Sequence, residues 1–140
     1  MKIKNGRNTV TTEIAYIAGF FDGEGCVRIK HSSQRGNSYY VTAHITNTNQ
    51  GILKIVQTLF AGKIYFQEKG VNKGIYQYYI TSAEAVDFLK TLSPFLIEKK
   101  PQALLAIEFH ERKETLTREA KDEYVRTITA MKKQGPRWAG

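Results

Sequence analysis

The sequence predicts an α+β fold of order α-ββ-α-ββ-α-α-α, with one antiparallel four-stranded sheet carrying helices on one face. Three observations predict it. Alternation of apolar and polar residues over 26–30, 39–46, 63–69 and 75–81 marks four strands in two hairpins. Apolar residues at helical spacing precede, separate and follow those hairpins. No GxGxxG or P-loop pattern is present, which sets nucleotide-binding α/β folds aside.

The elements follow in order. The first ten or so residues are polar, and Thr11 or Thr12 offers an N-cap, with Glu13 suited to the first turn. Ile14 to Phe21 then reads as a short helix, broken by the two glycines of Asp22-Gly23-Glu24-Gly25. Val27 and Ile29 face one way and Arg28 and Lys30 the other. Beyond the turn-rich 32–37, Tyr39, Val41, Ala43 and Ile45 oppose Tyr40, Thr42, His44 and Thr46. Ile52, Ile55, Val56, Leu59 and Phe60 space a helix from Gln50 to Phe60, which Gly62 ends. In the second hairpin Ile64 and Phe66 point inward, with Tyr65, Gln67 and Lys69 outward. After a turn over 70–74, Tyr76, Tyr78 and Ile80 oppose Gln77 and Tyr79. Ser82 caps a helix closed by Pro94, Pro101 starts another, and a more polar helix covers Glu119–Lys132.

A chain of 140 residues suits one domain over 1–140, with a core of about 13–110 and a C-terminal helical extension of about 111–135. The lone Cys26 excludes an intramolecular disulfide and any multi-cysteine zinc site. No apolar run reaches the roughly 20 residues that span a bilayer, and the first residues carry no apolar signal region. The expectation is therefore an intracellular protein (bacterial cytoplasm, chloroplast or mitochondrion), neither secreted nor membrane-bound.

The charge is unevenly placed. Residues 26–79 hold seven Lys or Arg and a single acid, Glu68, a net +6 of the chain's +8; residues 98–140 mix ten basic with seven acidic side chains. With helices on one side, the other sheet face presents Arg28, Lys30, Tyr40, Thr42, His44, Thr46, Tyr65, Gln67, Lys69, Gln77 and Tyr79. Gln34, Arg35 and Lys73 extend it into the turns. A face rich in cations, amides and aromatics and empty of acids suits a nucleic acid, and such ribbons fit a major groove.

The sharpest local pattern is Ile17-Ala18-Gly19-Phe20-Phe21-Asp22-Gly23-Glu24-Gly25. Ala15, Gly19 and Gly23 repeat every fourth residue, with Ala18 adjacent, so two helix backbones can approach closely. If the helix meets its own copy, two Glu24 carboxylates converge on a two-fold axis. A divalent cation such as Mg²⁺ would relieve their repulsion beside phosphates. Taken alone, Asp-Gly-Glu-Gly also reads as a plain helix end.

Residues 17–25 resemble the nine-residue motif of the LAGLIDADG homing endonucleases, and the α-ββ-α-ββ-α order resembles their repeat over about 13–110. Pro94-Phe95-Leu96-Ile97-Glu98-Lys99-Lys100-Pro101-Gln102-Ala103 is similar to the family's signature after the second hairpin. The resemblance implies a LAGLIDADG-type saddle sheet and, with one motif copy, a homodimer joined through Ala15, Ala18 and Gly19. It implies Mg²⁺-dependent hydrolysis of phosphodiesters in both strands of a long pseudo-palindromic DNA target, with Mn²⁺ as a possible substitute ion. Glu24 matches the metal ligand, and the Gly23 carbonyl adds a second contact; Asp22 matches an acidic position of structural role. Lys99 matches the lysine that supports the attacking water, a role Lys100 could share, and Asn47 a polar residue that orients solvent. Gly51 stands where a basic residue is common, and Gln50 is the candidate to compensate.

Two other classes stand beside the nuclease: an RNA-binding maturase acting on host intron RNA, and a DNA-binding regulator that has lost cleavage. Glu24 and Lys99 together argue against the regulator. Gly74-Ile75-Tyr76 and Tyr78-Tyr79-Ile80 superficially resemble a GIY-YIG signature, but Thr81 replaces its glycine, so the stretch reads as a strand. His31 and His110 lack partners at metal spacing, and Cys26 lacks an activating neighbour.

Overall fold

A computed structural model describes residues 7–34, 36–69 and 72–133. The element order is α1 (Arg7–Glu24), β1 (Gly25–Ser32), β2 (Ser38–Asn47), α2 (Gln50–Leu59), β3 (Lys63–Lys69), β4 (Asn72–Thr81), α3 (Ser82–Leu92), α4 (Lys100–Arg112) and α5 (Arg118–Lys133). Short 3₁₀ turns at Ser93–Phe95 and Lys113–Thr115 join the last three helices. The four strands form one antiparallel sheet in the order β1-β2-β4-β3, so the second strands of the two hairpins meet at its centre. No described helix is long and apolar enough to cross a membrane.

Alternation divides most of the sheet as expected, but Phe66, read as inward, is exposed on β3, which lies at the sheet's edge. Val27, Ile29, Tyr39, Val41, Ala43, Ile45, Tyr78 and Ile80 are all buried on the helical side. Over them lie Ile14, Ile17 and Phe21 of α1, Leu53 and Val56 of α2, the apolar face of α3, and Ala103, Ala106 and Phe109 of α4. Phe88 sits among them, edge-on to Phe21 (5.3 Å) and Phe60 (4.8 Å). Burying a side chain of this size stabilises by about 1.5–3 kcal/mol. The buried phenol of Tyr78 donates to the carbonyl of Ala61, and burial pushes its pKa up. Gly62, at φ +117°, lies against that ring, where a Cβ would come within 2.7 Å of it.

Several expectations shift. Thr11 and Thr12 do not cap α1 but lie inside it, because the helix begins at Arg7. Nor do the two glycines break α1, which runs on through Gly23 to Glu24 before β1 starts at Gly25. Gly25 is set by close packing instead: a Cβ there would stand 2.2 Å from Cδ1 of the buried Phe21 ring. Ser82 is not the cap of α3 but its first residue, with a positive φ of 57°, and Thr81 holds the cap position without a side-chain bond. Asn49 caps α2 by accepting from the Gly51 N–H at 2.8 Å. Ile55, spaced as core, is exposed on α2. His110, in the last turn of α4, has a buried Nδ1 without a hydrogen-bond partner, and burial lowers its pKa.

Candidate nucleic-acid interface and cleavage centre

The site is built where α1 passes into β1. Ile14, Ile17, Ala18 and Phe21 recur at three- and four-residue intervals and seat one stripe of α1 in the core. The opposite stripe carries exposed Tyr16, Gly19 and Gly23, with Ala15 and Phe20 half-buried. A Cβ added at Gly19 or Gly23 would meet no atom within 4 Å, so no described residue covers these positions. Ala18 belongs to the other stripe. It is fully buried in its own core and does not join Ala15 and Gly19 on the open one, contrary to expectation, because one helical step of about 100° turns it inward.

Asp22 is the pivot of the corner. Its Oδ2 accepts from the backbone N–H of Ile97 at 2.7 Å and its Oδ1 from that of Lys99 at 2.9 Å. Lys99 returns the contact, its Nζ donating to the Asp22 carbonyl at 2.5 Å. A carboxylate holding two amides fixes the 97–99 segment against the end of α1, and each bond of this charged type is worth about 1.5–3 kcal/mol. The family resemblance implied a structural role for Asp22 without indicating its partners, which lie 75 and 77 residues away.

Glu24 is exposed as the last residue of α1, two positions beyond Asp22, and makes no hydrogen bond or ion pair among the described residues. The β1–β2 register pairs Gly25 with Ile45, so Thr46 and Asn47 run past the start of β1, still paired with β4, at the end of the sheet where Glu24 leads into it. The structure thus brings the end of α1, the segment holding Lys99 and the end of β2 to one corner. Asn47 is partly committed there: its Oδ1 accepts from the Asn49 N–H at 2.8 Å, closing the turn into α2. Gln50 opens α2, half-buried, on the far side of that turn.

This corner suits a hard divalent cation. Glu24 offers an unengaged carboxylate, and the last carbonyls of a helix lack intrahelical donors and carry its negative dipole end. Among the described residues no group of three or more His, Cys, Asp or Glu gathers to hold a metal, at this corner or away from it. The chain thus offers one unengaged carboxylate here, beside the carbonyls that end α1.

From this corner the open sheet face extends in cross-strand rows. Arg28, Thr42 and Thr81 form one; Cys26, His44, Tyr79 and Lys63 the next; then Thr46, Gln77 and Tyr65; then Ile75 and Gln67. No acid stands in these rows; Glu68 falls in the irregularity of β3 between Gln67 and Lys69 and pairs with none of them. Arg28, Gln34, Tyr65 and Gln67 are exposed, while Lys30, Tyr40, His44, Thr46, Gln77 and Tyr79 are half-buried. Thr42, expected to offer a contact, is fully buried. It lies between Arg28 and Thr81 on the central strand, and Lys30 reaches past it to place Nζ 5.5 Å from the Tyr79 ring centre. Burial raises the Tyr79 phenol above its ordinary pKa. Arg35 lies outside the described residues, as do the side chains of Lys69 and Lys73. Replacing Asp22 with alanine should lower unfolding stability by about 2–3 kcal/mol, read from urea denaturation, because two backbone amides lose a charged acceptor.

Comparison with known proteins agrees with this geometry. A model of the LAGLIDADG-like domain matches residues 11–93. No curated protein sequence matches the chain. Among solved structures, the homing endonuclease I-CvuI in complex with its target in the presence of Ca superposes with a TM-score of 0.76 at 16% identity, covering 94% of this chain and 88% of that one. The archaeal intron-encoded homing endonuclease I-Vdi141I, complexed with DNA, gives 0.72 at 22% identity over 91% and 89%. The I-SmaMI LAGLIDADG homing endonuclease, bound to cleaved DNA, gives 0.59 at 27% identity over 84% of this chain but 42% of that one. The fold is that of the LAGLIDADG homing endonucleases, and with the family match spanning α1 through α3 the chain belongs to the LAGLIDADG-like domain family.

Proposed function

We propose that this protein is a site-specific DNA endonuclease acting as a homodimer on a long, pseudo-palindromic duplex, with a divalent cation, Mg²⁺ by preference, at paired Glu24 residues. The observation that carries the reading is the corner itself: an unengaged Glu24 beside a Lys99 locked by Asp22, at one end of an acid-free sheet face. Solved relatives of the same fold bound to DNA, one with Mg and one with Ca present, support both the substrate and the use of a divalent ion.

The chain's own residues divide the work. When bound, the cation supplies charge neutralisation at the phosphate and a more acidic water. Glu24 and the Gly23 carbonyl hold it. The Lys99 ammonium has three donors, of which Asp22 takes one, leaving two for a phosphate oxygen or for the attacking water. Asn47, with its oxygen committed to the turn, keeps its amide donors for solvent, and Gln50 adds a carboxamide beside it. Along the sheet, Arg28 and Lys30 meet phosphates or guanine edges, and Gln67 and Gln77 suit adenine edges.

The second protomer enters through α1. Tyr16, Gly19 and Gly23 are bare on one stripe, and a twin helix on it brings the two Glu24 residues together, so both strands are cut. Two outcomes are expected. Glu24→Gln should lose Mg²⁺-dependent cleavage by at least a hundredfold while target affinity changes less than about threefold; normal cleavage removes Glu24 from the mechanism. A side chain at Gly19 starts into space that no described residue fills, so Gly19→Leu should fold normally yet sediment as a monomer; an intact dimer contradicts the α1 interface.

A further inference from the structure

The β1–β2 hairpin is only half supported by the sheet. β4 pairs with β2 from Thr42 to Asn47, so residues 38–41 of β2, with 29–32 of β1 across from them, project beyond it as a two-stranded ribbon. Two strands alone are marginally stable in water. At this overhang, on the side facing the helices, Tyr39 is buried and donates its phenol proton to Asp122 Oδ1 of α5 at 2.5 Å. Its ring is stacked on His31 at 4.3 Å between centres, and the Lys121 ammonium lies 5.5 Å from it. α5 is itself anchored: Tyr124 donates to Glu108 and accepts from Arg112 on α4, its ring packs on Phe109, and Ile128 is buried.

We propose that α5, through the Asp122–Tyr39 bond, braces the overhanging ribbon and so sets how strictly the outer base pairs of each half-site are read. The proposal rests on the DNA-endonuclease reading and deepens it, since α5 lies beyond the segment that the family model matches. The geometry fixes where the effect must fall. Tyr39 pairs with His31, six residues along β1 from Gly25, or about 20 Å from the cleavage corner. That distance is about six base-pair steps along the duplex. Bases near the cut are met by rows that β4 holds in place, whereas bases about six steps outward are met by the braced ribbon. Asp122 and Tyr39 are positioning residues in this scheme, with no contact to the scissile phosphate.

The test uses Tyr39→Phe and Asp122→Ala in the full chain, which remove the donor and the acceptor of the bond in turn and leave the Tyr39 ring in its packing. Amide hydrogen exchange is measured without DNA, and binding is measured on the cognate duplex with each base pair substituted in turn. Amides of 29–32 and 38–41 should exchange at least tenfold faster in both variants while those of 43–45 and 78–80 do not change. Discrimination should fall at least threefold at the outer positions and stay constant near the cut. Unchanged exchange in the ribbon overturns the brace. So does faster exchange accompanied by a uniform loss of discrimination, or by none. If the wild-type protein binds no duplex, the endonuclease reading fails instead, and specificity control by α5 fails with it, while the exchange arm still decides whether the brace exists.

Discussion

The carboxylate of Asp22 ties the end of α1 to the segment that leads into α4. Its two oxygens take the amides of Ile97 and Lys99, and the Lys99 side chain closes back on the Asp22 carbonyl. Backbone amides held by a charged acceptor have little freedom to drift. The last turn of α1 and the entry to α4 therefore keep a fixed relation, and with them Glu24 and Lys99. A carboxylate that grips backbone leaves the neighbouring carboxylate free for other chemistry. That division of labour explains two acids separated by a single glycine.

The sheet depends on the same economy of direction. Strand periodicity sends Val27, Ile29, Val41 and Ile45 under the helices and Arg28, Lys30, Tyr40 and His44 away from them. Because α1 delivers β1 at Gly25 with the Phe21 ring pressed on it, the corner bearing Glu24 lies at one end of the exposed face. Cations and amides on that face then run outward from the acidic corner. A duplex lying along it would present its phosphate near Glu24 and its bases to the strands.

Much of this was legible in the sequence, for reasons that differ between elements. Period-two alternation placed all four strands and most of their inward residues, since burial on one side of a sheet enforces it strongly; Phe66 on edge strand β3 was read as inward and is exposed. The motif around residue 24 and the signature around Lys99 were visible as separate patterns; their contact was not, because a link across 77 residues leaves no local trace. The end of α1 was misjudged because glycine was read as a helix breaker, while Gly25 answers to the bulk of Phe21 and Gly23 is tolerated within the last turn. Ala18 and Thr42 were misassigned because periodicity gives a side chain's direction and not what covers it. The role of α5 had no signal at all: Tyr39 and Asp122 are 83 residues apart, and each alone looks ordinary.

The most direct measurement is a cleavage selection on a library of randomised duplexes, run with the purified protein in Mg²⁺ and, in parallel, in EDTA. The account predicts double-strand products enriched for one long, near-palindromic sequence in Mg²⁺ and none in the chelated arm. Cutting that persists in EDTA, or a library left uncut and unenriched in both arms, would contradict it.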